Sequence, residues 1–218
     1  MSNLIRNNVV VADDWTLVAL PAIEEAVRKQ AGKVVIFKLT GEHSATPEQI
    51  AGAVIPAGKV IVPLPLWQAR MDELAPRLAA GELGVWLESF ELVEDLVASV
   101  ADINDVPLIA VNFPRFADGR GFSIATLLRT RYAYRNELRA IGDVLRDQLY
   151  YMKRCGFDAF SMRADRSAED ALASLRDFSE PYQGAVDNPL PVWRRYARHA
   201  DTSGHARKAV NPVMDDTD

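Results

Sequence analysis

Short apolar runs alternate with stretches of helical period along most of the chain. The runs lie at 33–39 (KVVIFKL), 59–63 (KVIVP), 83–88 (LGVWLE), 107–113 (PLIAVNF), 137–141 (ELRAI) and 157–162 (FDAFSM). Most are almost continuously apolar, the pattern of strands buried on both faces of a parallel sheet. Between them the period becomes that of amphipathic helices, at 21–30, 67–80, 89–103, 122–132, 144–155 and 168–178. In 89–103, Leu92, Val93, Leu96, Val97 and Val100 share one stripe, and Glu91, Glu94 and Asp95 face away from it. Repeated strand–helix units imply right-handed crossovers and an α/β fold with a mainly parallel sheet of about six strands. An open or partial-barrel-like sheet fits better than a closed (β/α)8 barrel, which takes about 250 residues. The order of the strands stays open.

The pattern changes at Ser179. Pro181, Pro189 and Pro191 interrupt any regular element, while Tyr182, Trp193 and Tyr196 predict that this first part of the tail docks on the domain. The expected organisation is a single α/β domain over 1–198 and a disordered tail over 199–218.

Composition narrows the functional classes. The 218 residues suffice for one domain with a real core. The formal net charge of -5 argues against a general nucleic-acid binder, which needs a concentrated basic surface. No apolar run approaches the ~20 residues of a membrane span. The start of the chain lacks the long apolar segment of a secretory signal, so the cytoplasm is the expected compartment. A single cysteine, Cys155, forms no internal disulfide and holds no zinc or iron–sulfur centre alone.

Candidate chemistry concentrates in 112–123 (NFPRFADGRGFS), which leads from a strand into a helix. Ligands of α/β sheets gather beyond the carboxyl ends of strands, and a helix start attracts anions. Gly119 and Gly121 would let the backbone approach an oxyanion, Arg115 and Arg120 would add charge-assisted hydrogen bonds, and Ser123 would add a hydroxyl. Sulfate, sulfite, a phosphate or a carboxylate would suit such a site. In the plainer reading the glycines shape a turn, Ser123 caps the helix, and the arginines are solvated or pair with Asp118. Neither GxGxxG nor GxxxxGK[ST] is present.

Asp143 follows the next strand and glycine. It would serve as a base, orient an arginine or, the preferred reading, cap the following helix. Asp147 and Gln148 would extend a polar pocket if they face that loop. Glu88 and Ser89 end another strand and would face the same pocket, although Ser89 also suits a helix cap. Cys155 falls at the end of a helix before Gly156, where the helix dipole disfavours a thiolate and a packing role is expected. His43, His199 and His205 have no partners at metal-ligand or triad spacing. The stretch 193–196 (WRRY) reads equally as a docking peptide or as closure of the fold.

The segments 118–123 (DGRGFS), 138–148 (LRAIGDVLRDQ) and 152–160 (MKRCGFDAF), continued by Phe178, Ser179, Tyr182 and Gln183, resemble a bacterial family, domain-of-unknown-function family 934. The likeness extends upstream, more weakly, through 83–113. Genes of that family neighbour those of the sulfite reductase haemoprotein and the adenylyl-sulfate reductases. The resemblance therefore implies a part in sulfite reduction and one of those proteins as partner, and it brings no catalytic residues with it. Taken together with the anion-binding reading of 112–123, that pathway leads to the expectation of an accessory protein of assimilatory sulfate and sulfite reduction that binds an oxyanion. A flavin- or thiol-dependent oxidoreductase and a non-catalytic interaction protein remain as alternatives. No fingerprint for haem, an iron–sulfur cluster or a dinucleotide is present, and a flavin would need no strict motif.

Overall fold

Asn7 and Asn8 adopt positive φ, 51° and 63°, the left-handed pair that a two-residue hairpin demands. They fold Leu4–Arg6 (β1) against Val9–Val11 (β2) as antiparallel strands, with Leu4 opposite Val11. After them come β3 (Thr16–Leu17), β4 (Val60–Pro63), β5 (Leu83–Leu87), β6 (Leu108–Phe113), β7 (Glu137–Gly142) and β8 (Ala159–Ser161). The computed structural model describes residues 3–20 and 45–195. The helix expected at 21–30, the strand at 33–39, the three histidines, Tyr196 and the tail from 199 lie outside that range.

The sheet runs β2-β1-β8-β7-β6-β5-β4-β3. From β4 to β8 every strand is parallel to its predecessor among the described strands and lies beside it. With right-handed crossovers this order always steps the same way, so the helices collect on one side. The sheet curls into an open half-barrel, and β1 seals the last parallel edge by pairing antiparallel with β8. Five of the eight described strands match expected runs; the other three, the hairpin and β3, span two or three residues each, too few to carry a period.

Apart from α5, the helices are shorter than the patterns expected for them. They are α1 (Pro47–Ala51), α2 (Leu64–Ala69), α3 (Met71–Ala79), α4 (Val93–Ala98), α5 (Arg120–Thr130), α6 (Leu149–Arg154), α7 (Ala168–Leu172) and α8 (Val192–Arg195). The helix expected over 67–80 begins earlier and breaks at Arg70, whose φ of −128° and ψ of 32° leave the helical region. Arg70 is drawn aside by Ala53 O, 2.8 Å from its Nη1, and by Glu73. The helix expected over 89–103 shrinks to α4. Its first residues are diverted into the polar cluster described below. Near its end Ser99 donates to Leu96 O and accepts from Trp67 Nε1 at 2.8 Å.

Alternation along the strands loads both faces. Val60, Val62, Val85, Leu87, Ile109, Val111, Leu138 and Phe160 face the helices in the main core. Ile61, Leu108, Ala110 and Ile141 form a smaller cluster on the inner face with Trp15 and Trp86. Arg139 is 1% exposed, and its Nη1 lies 3.0 and 2.9 Å from the two carboxylate oxygens of Asp13. Glu137 holds its Nε at 2.8 Å. The segment after β2 is thus pinned to the inner wall. The stretch before α8 also docks: Val186 N donates to Arg154 O at 3.0 Å, and Arg154 binds Gln183 O in return. Among the described residues no helix is long and apolar enough to cross a membrane.

Candidate functional site

Four neighbouring strands end at one edge of the half-barrel, with polar residues at or just beyond each end. β5 gives way to Glu88 and Ser89, β6 carries Asn112, β7 ends at Gly142 before Asp143, and β8 leads into Arg163. Gly142 has a φ of 92°, and an added Cβ would stand 2.4 Å from Asn112 Oδ1 and 2.5 Å from Phe113 O. Only glycine lets β7 turn this close to β6. Asp143 N then donates to Phe113 O at 2.7 Å.

Two hydrogen-bonded groups result. In the first, Asn112 Nδ2 donates to Glu88 Oε2 at 2.9 Å, and Glu88 N donates to Glu91 Oε2 at 2.7 Å. Beside them Ser89 Oγ donates to Asp118 Oδ2 at 2.7 Å. Arg120 grips the same carboxylate through Nε at 3.0 Å and Nη2 at 2.8 Å, and its backbone N–H adds a contact at 3.1 Å. In the second group, Asp143 accepts from Phe116 N and from Arg163 Nη1, both at 2.8 Å. Arg163 also binds Asp165, and Gln148 Nε2 donates to Phe116 O at 3.0 Å.

The first group is electrostatically unbalanced. Burial pushes Glu91 up to about 7, and the neighbouring carboxylates Glu88 and Asp95 push the same way. Glu88 is also raised, chiefly by burial and further by Asp118, with its bond from Asn112 opposing. Asp118 lies well below the usual carboxylate range, held there first by Arg120 and then by Ser89. One carboxylate is therefore a fixed charge, while Glu91 exchanges its proton around neutrality.

The residues singled out from the sequence fall into different surroundings. Arg120 faces Asp118, and Asp118 fills the position at the start of α5 that an external anion would have taken. Gly119 immediately precedes the helix and is exposed. Gly121 is buried for packing, since a Cβ there would come within 2.7 Å of the Phe113 ring. Ser123 sits exposed inside α5 and caps nothing. Arg115 is exposed, and its side chain makes no hydrogen bond or ion pair among the described residues. Asp143 does not cap a helix. Leu145 precedes the short helix instead, its N–H donating to Gln148 Oε1 at 3.2 Å, and Asp143 ties the Phe116 loop to Arg163. It orients an arginine, though neither Arg115 nor Arg120.

Ser89 is likewise no cap: Leu92 precedes α4, and the Ser89 hydroxyl is spent on Asp118. Asp147 is exposed, whereas Gln148 is buried against the loop. Cys155 is buried at the end of α6, and burial pushes its thiol up.

Glu91 and Arg163 escaped the sequence reading. Glu91 belongs to the polar side of a helical pattern, and its spacing of three from Glu88 just after a strand was the available signal. Arg163 had none, because its partner Asp143 is twenty positions away on another strand. Among the described residues no three His, Cys, Asp or Glu side chains form a group that could hold a metal ion.

No curated protein and no solved structure matches this chain. A family model described as a bacterial protein of unknown function (DUF934) matches residues 84–193. That span begins in β5 and runs to α8, and it contains every residue of both hydrogen-bonded groups. The chain belongs to this family.

Proposed function

We propose that this chain is an accessory protein of assimilatory sulfite reduction that associates with the sulfite reductase haemoprotein or a neighbouring adenylyl-sulfate reductase. In this reading it takes a small oxyanion at the carboxyl edge of its half-barrel. The pathway rests on the family resemblance and the gene neighbourhood that comes with it. The oxyanion rests on one observation: Arg120, fixed at the start of α5 by Asp118, lies close to Glu88, whose backbone N–H binds the poorly compensated Glu91. An anion arriving there meets the exposed part of Arg120, whose side chain is 41% accessible. The carboxylates repel it unless one of them is protonated. Glu91, raised to about 7, takes that proton and as an acid becomes a hydrogen-bond donor to the anion. Binding is thus coupled to proton uptake, and no electron-transfer step is assigned to this chain. The rival reading of a thiol-dependent reductase has little support from Cys155, whose burial keeps it a neutral thiol.

Titration calorimetry with sulfate, whose charge is constant from pH 6 to pH 8, tests the anion site. Affinity should be about tenfold tighter at pH 6, the ratio of protonated fractions for a group titrating near 7. Glu91→Gln should remove that dependence. Absence of binding at both pH values would sink the anion reading, and binding without pH dependence would sink the role of Glu91. Co-elution of the full chain with each reductase in size exclusion tests the association.

A further inference from the structure

Eleven large apolar side chains are exposed among the described residues, and six of them lie singly on separate elements. The other five belong to one stretch of surface, where the 178–193 segment runs along α6. Phe178 packs on Tyr150 near the start of that helix, with ring centroids 5.0 Å apart, and Val186 N donates to Arg154 O at its end, at 3.0 Å. Phe178, Tyr182, Leu190 and Trp193 come from the segment and Tyr151 from the helix, each between 47% and 66% exposed. The segment is folded back on itself: Val192 N donates to Tyr182 O at 3.1 Å, and the Tyr182 and Trp193 rings meet at 4.9 Å. Arg195 closes it through Glu180 at 3.4 Å. The rings are therefore held outward on an ordered backbone, in water, at a cost that burial against another apolar surface would recover.

We infer that this face is the contact between two copies of the chain, which meet patch to patch about a two-fold axis. Charge selects the occupant. The chain as a whole carries a formal net charge of -5, so two copies repel over most of their surfaces. Within 176–195, however, Arg176, Arg194 and Arg195 balance Asp177, Glu180 and Asp187. A stretch without net charge meets its own image without repulsion, which a two-fold interface requires. A different protein is ordinarily selected by complementary charge, and this face offers no excess of either sign. The rest of the chain is a poor cover, since Tyr196, Val210, Val213 and Met214 are the large apolar residues beyond Arg195. Area agrees. Large side chains offer roughly 150–250 Å² each, so five at about half exposure leave roughly 550 Å² per copy. Two copies would bury roughly 1,100 Å² of it, enough for a specific interface. The inference needs neither the anion nor the reductases.

Sedimentation of the full-length chain over a range of concentrations tests it, beside Phe178→Glu, Leu190→Glu and Val54→Glu. The wild-type chain should sediment at twice its 24.2 kDa, and the dimer should persist as salt is raised, since its contact is apolar. Phe178→Glu and Leu190→Glu each place a like charge on both sides of the contact and should weaken self-association at least about tenfold. Both side chains are largely exposed, so far-UV circular dichroism should stay that of the wild type. Val54→Glu puts the same charge on an 85% exposed residue outside the patch and should leave the dimer intact. A wild-type chain that stays monomeric at every concentration would overturn the inference. So would wild-type self-association in both patch variants, or an equal loss in Val54→Glu.

Discussion

Glu91 illustrates how much a single position can govern. Its carboxyl is mostly buried and meets two other acids, so its proton is released only around pH 7 instead of near 4.5. A group whose folded-state value is raised binds its proton more tightly in the folded chain. Its contribution is therefore fully present below pH 4.5 and lost as pH rises through about 7. The full difference corresponds to roughly 3 kcal/mol. Glu91→Gln keeps an acceptor for Glu88 N–H and removes the charge, so it should raise stability at pH 8 by about 2 kcal/mol and change little at pH 5. Urea unfolding at the two pH values measures this, and equal effects at both would show that Glu91 titrates normally. Gly142 works through shape. At φ 92°, with Asn112 Oδ1 2.4 Å from where a Cβ would stand, Gly142→Ala should cost about 3 kcal/mol and loosen Asn112 from Glu88. Denaturant midpoints report the loss.

Individual elements are joined by side chains that reach across the domain more than by their own lengths. Arg129, near the end of α5, donates through Nε to Gly156 O at 2.9 Å and through Nη1 to Tyr134 O at 2.7 Å. Its Nη2 pairs with Asp158 at 2.8 Å, and the other oxygen of Asp158 accepts from Leu138 N at the start of β7. One guanidinium thus fastens α5 to the amino ends of β7 and β8, opposite the candidate site. Burial already raises Asp158 despite this pairing. Arg129→Ala strands that carboxylate and several carbonyls, and should lower stability by about 3 kcal/mol. An unfolding midpoint within error of wild type would refute this. The same principle explains why the helices are short. Hydrophobic stripes such as Leu92, Val93, Leu96 and Val97 predicted where helices lie, and side-chain bonds such as that of the Glu91 carboxylate to Glu88 N–H decided where they begin.

At the scale of the whole molecule, the half-barrel brings together positions remote in sequence on both its inner wall and its carboxyl edge. Asp13 and Arg139 meet across 126 positions, and Arg139 is 1% exposed there. Asp13→Ala leaves Glu137 as its remaining partner, so the expected loss is about 2 kcal/mol, read from urea unfolding. The α/β class and the parallel strands at 60–63, 83–87, 108–113, 137–142 and 159–161 were legible in the sequence, because burial on both faces of a sheet forces continuous apolar runs. The β1–β2 hairpin was not, since three-residue strands carry no period and the turn signal was the pair Asn7 and Asn8 alone. The loop 112–123 also stood out as chemically special from its glycines and arginines. Which partner each side chain takes was decided by tertiary structure: Arg120 and Ser89 take Asp118, Arg163 takes Asp143, and Asp143 and Gln148 take the Phe116 backbone. Local sequence encodes periodicity and burial, which are one-dimensional. The pairing of charges depends on which strand ends become neighbours, and that is settled only when the sheet curls.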